Sequence, residues 1–299
     1  MTSLSPSRTI LDVILPGPSR MLALGVIALA GSACNPVSPD PIGAVRTGNV
    51  GALKAGLATD PSLVHTKVYP QAYERLSQRA DYERRYGRSP WEGRYLIHDA
   101  ASRAADPLPA LDVLATAGAD LPVRLKGRTL LHLAAADGNL EVAAWLIAKG
   151  AAVDAANDCA DRCAERGNTP LHDALDFRDD EMSALLLERG ANVHARGAHG
   201  WTPLHSAGDR GKLGGAFVLC RYGADPSLED PAGKTPYAVA RASWERHAAT
   251  RTKDFDMLVQ WLEPNGGCAK VAATARTSGK PVSDEDARVV FTATVRAAQ

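Results

Sequence analysis

One six-residue phrase recurs along this chain and limits the folds that the chain can adopt. It reads Gly-Arg-Thr-Leu-Leu-His from residue 127, Gly-Asn-Thr-Pro-Leu-His from 167 and Gly-Trp-Thr-Pro-Leu-His from 200, with weaker copies from 93 and 233. The glycines of successive copies are 34, 40, 33 and 33 residues apart. Such a period indicates stacked structural repeats, because one short unit cannot bury its apolar face alone.

The residues of each unit indicate where its helices begin and end. Thr129, Thr169 and Thr202 are good helix N-caps, and a proline follows two of them at the first helical position. A second phrase, Gly-Ala followed by Asp, Ala or Asn, starts at residues 118, 150, 190 and 223. Its glycine fits the left-handed residue that ends a helix. Each unit is therefore predicted to be a helix, a tight turn, a second helix and an extended loop.

The two linked phrases resemble the ankyrin repeat. The resemblance implies an all-α solenoid of about six helix-turn-helix units with short β-hairpin loops. The units are predicted near 42–65, 91–124, 125–157, 165–197, 198–230 and 231–263, and are called units one to six below. Insertions are expected at 66–90 and 158–164, and a C-terminal tail at 264–299. The last unit is interpreted as the C-terminal cap.

The tail after unit six has an ambiguous pattern. Residues 287–295 fit a strand period and a helix period about equally, and Ser283 with Asp286 favours a helix. Gly266 and Gly267 predict a flexible beginning.

The first 33 residues are predicted to be a signal peptide, followed by a linker at 34–41. An apolar run at 21–30 precedes Gly31, Ser32, Ala33 and Cys34, which resembles the bacterial lipobox, although Gly31 stands where an aliphatic residue is usual. The resemblance implies lipidation of Cys34 and a periplasmic lipoprotein of the outer membrane that contacts the membrane only through its lipid. A plainly secreted protein and a cytoplasmic protein with an accidental apolar patch remain alternatives.

Four further cysteines suit an oxidising compartment. Cys159 and Cys163 are predicted to form a disulfide, and zinc binding is the alternative, although no second ligand pair stands nearby. Cys220 and Cys268 can pair or stay free. No cofactor is predicted.

Composition and motifs argue against nucleic-acid binding and catalysis. The chain carries 34 Lys and Arg against 34 Asp and Glu, a net charge of zero, without a basic block. No nucleophile elbow, zinc-protease motif or phosphate loop is present, so no catalytic residue and no metal site are predicted. Four of the eight histidines belong to the repeated phrase, which indicates a structural role. His194 and His199 are expected at exposed loop positions.

The family resemblance implies a binding surface made of the hairpin loops and the first helix of each unit. Trp and Arg concentrate binding energy at interfaces, and the candidate partner-binding residues are Trp91, Arg94, Arg103, Arg128, Asp137, Phe177, His199, Trp201, Asp209 and Arg210. Trp201 is expected to point outward, whereas Trp91 and Phe177 could instead pack locally.

The function that follows is a non-catalytic, monomeric protein-binding module of the bacterial envelope. An immunity protein that neutralises a toxic secreted effector is the leading specific role. The alternatives are an accessory or chaperone-like protein that supports a periplasmic enzyme, and an effector that binds a host protein.

Overall fold

The computed structural model describes residues 40–65, 95–104, 106–158, 166–175, 180–250 and 252–297. Pro41–Gln299 form one compact unit, and the fold below is that of its described residues. These residues contain fourteen α-helices and one two-stranded hairpin. The all-α solenoid expected from the repeats is confirmed. No helix in these ranges combines the length and the apolar character needed to cross a bilayer.

The helices come in consecutive pairs. The pairs of units one to three are α1 Pro41–Arg46, α2 Val50–Thr59, α3 Leu96–Arg103, α4 Pro107–Thr116, α5 Leu130–Asp137 and α6 Leu140–Ala148. The pairs of units four to six are α7 Pro170–Ala174, α8 Glu181–Glu188, α9 Pro203–Arg210, α10 Leu213–Arg221, α11 Pro236–Arg246 and α12 Lys253–Leu262. A further pair follows, α13 Gly267–Ser278 and α14 Asp284–Ala297. Short 3-10 helices cover Pro61–His65 and Ala198–Gly200.

Local chemistry explains the helix boundaries. Thr129, Thr169 and Thr202 are N-caps with extended backbone, and α7, α9 and α11 each carry a proline in the first turn. Gly150, Gly190 and Gly223 lie just after second helices with φ between 85 and 90°. A side chain is strained in that region, so the predicted glycine ends are confirmed.

The loop before unit three is a tight β-hairpin. Strands β1 (Arg124–Leu125) and β2 (Arg128–Thr129) pair antiparallel, with Leu125 opposite Arg128. Lys126 and Gly127 connect them with φ of 52 and 81°. Two successive positive φ angles are the mark of a type I′ turn, whose twist matches that of paired strands.

A single core runs through the stacked pairs. Leu131, Leu171 and Leu204 occupy the same place in three successive phrases, and each is at most 1% exposed. Small residues such as Ala135, buried like them, allow the helices to pack closely. The core therefore consists mainly of Leu, Ala and Val, as a chain with few aromatic residues requires.

The C-terminal tail is an integral part of the fold. The capping contact predicted at Ser283 is present, since Asp286 N–H donates to its Oγ at 3.1 Å, and the helical prediction for the tail is confirmed. Helix α13 packs on α10 and α12, and a disulfide joins Cys220 to Cys268. The tail therefore covers the second helices of units five and six, a role that the sequence did not predict.

The prediction of a flexible start at Gly266 and Gly267 is wrong. Gly266 caps α13 and Gly267 is its first residue. A Cβ on Gly267 would lie 2.0 Å from the buried Trp261 ring, so only glycine allows α13 to approach α12 there. This pair permits close packing instead of flexibility.

Candidate functional site

The first helices of units three, four and five each begin with a capping box built by the repeated phrase. In unit three, the backbone N–H of Thr129 donates to Nδ1 of His132 at 3.2 Å, and His132 N–H donates to Thr129 Oγ1 at 3.4 Å. The same reciprocal arrangement recurs between Thr169 and His172 and between Thr202 and His205. It satisfies backbone donors that a helix N-terminus would otherwise leave unpaired.

The other ring nitrogen of each histidine joins one unit to the next. Nε2 lies 3.0 Å from Asn168 O in His132, 3.1 Å from Trp201 O in His172 and 2.9 Å from Lys234 O in His205. Because Nδ1 accepts a backbone N–H, the proton is assigned to Nε2, which donates to these carbonyls. The structural role predicted for these three histidines is confirmed.

Burial keeps these histidines neutral. The pKa of His132 and of His172 is lowered from 6.5 to about 4, mainly because burial removes hydration. The hydrogen bond to the carbonyl opposes this shift, and the nearby cations Arg128 and Arg210 add to it. The pKa of His205 is also lowered, again mainly by burial. A buried imidazole with both nitrogens bonded to the backbone is not placed to transfer protons to a substrate.

The residue between Gly and Thr in the repeated phrase also contacts the following unit. Arg128 Nη2 lies 2.7 Å from Oδ2 of the buried Asp173, and Asn168 Oδ1 accepts the Ala198 N–H at 2.9 Å. Trp201 Nε1 donates to Asp230 Oδ2 at 3.0 Å. Three different residue types therefore share one task, which is to connect consecutive units.

The expectation of an outward, free Trp201 is wrong. Its side chain is half-buried, and its ring stacks on that of His205 with centroids 6.5 Å apart and planes 16° apart. His199 lies beside it, with ring centroids 5.5 Å apart, and is exposed as predicted. His194 is not exposed as predicted, because it is half-buried and its Nε2 accepts the Asp225 N–H at 3.0 Å. Burial lowers the pKa of His194.

The other candidate partner-binding residues that the structure describes lie at the ends of first helices. Arg210 Nη1 donates to His172 O at 3.1 Å, and Asp209 accepts from Arg246 Nη2 at 2.7 Å. Asp137, the last residue of α5, is exposed. Trp91, Arg94 and Phe177 lie outside the described residues, as do Cys34, Cys159 and Cys163, and Arg103 is placed only by its backbone at the end of α3.

Two arginines of the loops have a role that sequence reasoning missed. Arg124 Nη1 donates to Gly127 O and Ala156 O, both at 2.8 Å. Arg196 Nη1 makes the matching pair of bonds, to Gly200 O at 2.8 Å and Glu229 O at 3.0 Å. Arg124 stands three residues before the phrase glycine and Arg196 four residues before it, so an arginine shortly before that glycine is the signal that could have identified them.

These loops form one surface, called the hairpin edge here and defined as residues 124–129, 166–169, 196–202 and 229–235. Consecutive loops are bridged by histidine, arginine and indole hydrogen bonds, so the surface is held in place before any partner arrives. Its exposed residues include Lys126, Arg166, His199 and Lys234.

The described part of the chain also contains a cavity between two units. The cavity, of about 670 Å³, lies between units two and three and is lined by Leu121, Leu130, Leu131 and Leu146, and by two cations. Arg124 already lies 3.4 Å from Asp158, and Lys149 lies 3.5 Å from Asp112. No group of three or more His, Cys, Asp or Glu among the described residues could hold a metal ion.

Comparison with known proteins agrees with this geometry. The profile of the ankyrin repeats, in three copies, matches residues 97–197. The B-cell lymphoma 3 protein homolog of Mus musculus is 39% identical over 153 residues, which cover 50% of this chain and 33% of that protein. A putative ankyrin repeat-containing protein of Treponema pallidum (strain Nichols) is 34% identical over 116 residues, 39% of this chain and 37% of that protein.

A third relative is Rabankyrin-5 of Mus musculus, 34% identical over 128 residues, which cover 41% of this chain and 11% of that protein. The chain thus spans little more than a third, at most, of the length of these three relatives. Residues 97–197 therefore contain ankyrin repeats, and the chain is similar to ankyrin-repeat proteins. Its repeats are a protein-protein interaction module.

Proposed function

We propose that the hairpin edge, with the adjoining helices α5, α7, α9 and α11, binds one partner protein and catalyses no reaction. The observation that carries this proposal is the bridging of consecutive loops by His132, His172 and His205 while the loop tips stay exposed. A surface that is already ordered loses little conformational entropy on binding, so more of its contact energy appears as affinity. The protein acts as a monomer in this proposal.

Site-specific photo-crosslinking tests the surface. A photoreactive amino acid replaces His199 on the hairpin edge and, as a control, Lys270, an exposed residue of α13. We expect the partner from an envelope extract to be crosslinked from position 199 and not from 270. An adduct formed only from position 270 would place the interface elsewhere.

The compartment that we propose is the bacterial envelope. The disulfide between Cys220 and Cys268 supports it, since both cysteines are fully buried and disulfides of this kind form and persist in oxidising compartments. The sequence before Cys34 supports a lipid anchor. Within this compartment, neutralisation of a toxic secreted effector is the proposed role, and support of a periplasmic enzyme is the alternative.

The anchor has its own test. Cys34→Ala should abolish labelling by radioactive palmitate and move the protein from the membrane fraction to the soluble periplasm. Cys163→Ala is a control that leaves Cys34 intact and should keep the label. Unchanged membrane association of Cys34→Ala would refute the lipid anchor.

A further inference from the structure

Four cations follow the hairpin edge, one from each loop. They are Lys126, Arg166, Arg196 and Lys234, and all four are exposed. Within the described ranges, none of them forms an ion pair, whereas Arg124 and Arg128 in the same surface pair with Asp158 and Asp173. The guanidinium of Arg196 donates to two carbonyl oxygens, which orient it without compensating its charge.

Most acidic side chains in or beside the hairpin edge already have hydrogen-bond or ion-pair partners. Asp158 lies 3.4 Å from Arg124, and Asp230 accepts hydrogen bonds from Trp201 Nε1 and from the Ala232 and Lys234 N–H groups. Glu229 is exposed beside them. The protein as a whole has no net charge. The cationic row is therefore a local feature of one edge and not the consequence of a basic composition.

The spacing of the row follows from the stacking of the units. Packed helices lie about 8–10 Å apart, so consecutive loops repeat at roughly that distance. An extended chain advances about 3.3 Å per residue, and three residues therefore cover about 10 Å. Lys126 and Arg166 directly precede the phrase glycine, whereas Arg196 lies four residues before it and Lys234 directly after it. One carboxylate at about every third residue of an extended segment would therefore match the loop repeat on average.

We propose that the hairpin edge recognises an extended acidic segment of its partner protein, in which Asp or Glu recurs at every third residue. The inference rests on the proposed function of this surface and adds the chemistry of the partner. Each contact joins exposed charges, so the affinity depends on several contacts together and on ionic strength.

Two labelled peptides of equal composition test the inference by fluorescence anisotropy. In one peptide, two serines separate successive aspartates, four in all; in the other, the four aspartates are contiguous. The spaced peptide should bind the wild-type protein more tightly than the contiguous one, and binding should weaken as salt rises to about 0.15 M. Equal affinity for the two peptides would overturn the spacing argument. Tighter binding of single-stranded DNA of the same charge would overturn the assignment to an acidic protein.

A matched pair of variants locates the contact. Lys126→Gln/Arg166→Gln/Lys234→Gln removes three charges from the hairpin edge, and Lys54→Gln/Lys270→Gln/Lys280→Gln removes three exposed charges elsewhere. The first variant should bind the spaced peptide about tenfold more weakly, and the second should bind as the wild type does. Equal losses in both variants would show a net-charge effect and overturn the inference.

The natural partner separates this inference from the proposed function. If the hairpin-edge variant keeps its affinity for the protein that crosslinks at position 199, the acidic segment is wrong and the proposed surface stands. If no such protein crosslinks there, the proposed function itself fails.

Discussion

The repeat array and the C-terminal helix pair are held by different kinds of contact. Between units three and six, the same histidine-to-carbonyl hydrogen bond recurs at each junction. Helices α13 and α14 are attached by contacts that each occur once. The disulfide joins Cys220 to Cys268, Arg221 and Val282 exchange two hydrogen bonds, and Trp261 packs between Phe217 and Phe291.

This difference shows how the two regions gain stability. Contacts in the array are local to neighbouring units, so a change in one unit acts first on the next. The terminal pair is held by residues that are far apart in sequence. It packs on the side of α10 and α12 that the array leaves uncovered. The array therefore offers a long surface, and the terminal pair covers the second helices of units five and six.

Acid should weaken the array most. His132 and His172 have pKa values near 4 in the folded protein and 6.5 when unfolded, so below pH 6.5 the unfolded chain binds protons that the folded chain does not. The free energy of unfolding has its full value above pH 6.5 and decreases as the pH falls to 4, by about 3 kcal/mol for each histidine. Urea unfolding at a series of pH values measures this loss.

A variant separates the histidines from other acid effects. His132→Gln/His172→Gln is less stable at neutral pH, and its stability should depend much less on pH between 6.5 and 4. The same pH dependence in the variant and the wild type would show that other groups are responsible.

Removal of the disulfide should have the next largest effect, and it should act on the terminal pair. Cys220→Ala/Cys268→Ala opens a loop with a sequence separation of 48 residues, for which a chain-entropy estimate gives about 4 kcal/mol. Far-UV circular dichroism in urea should show a new early transition, in which α13 and α14 unfold before the array. Unfolding in one transition at the wild-type midpoint would contradict this account.

A truncation in the array core should cost about as much or slightly less. Leu171 is fully buried in α7, so Leu171→Ala removes packed methyl groups and should lower the free energy of unfolding by about 2 to 5 kcal/mol. Leu185→Ala, on the half-buried side of α8, is the control and should cost less. A smaller loss for Leu171→Ala than for Leu185→Ala would show that the core is misplaced.

The smallest effect is expected at Trp201. The indole donates to Asp230 and stacks on His205, so Trp201→Ala should lower the free energy of unfolding by about 1 kcal/mol and weaken the junction between units five and six. Trp201→Phe keeps an aromatic ring, loses the hydrogen bond of the indole N–H, and should therefore cost less than Trp201→Ala. If Trp201→Ala leaves the melting temperature unchanged, the side chain is as free as the sequence suggested.

The sequence predicts the array well because the same residue types recur where the same physics applies. Thr129, His132 and Gly150 could be assigned roles from their counterparts in other units. The Cys220–Cys268 pair could not be predicted, since no periodicity relates the two residues. The half-burial of Trp201 could not be predicted either, because it depends on where the next loop places Asp230.

Coupling between neighbouring units holds the array, whereas contacts that occur once hold the terminal pair. Hydrogen-deuterium exchange of the full chain, compared between Leu171→Ala and Cys220→Ala/Cys268→Ala, tests this difference directly. We predict faster exchange in α5 to α10 for the first variant, with the largest change in α7, and in α13 and α14 for the second. A uniform increase over all helices in both variants would contradict the claim.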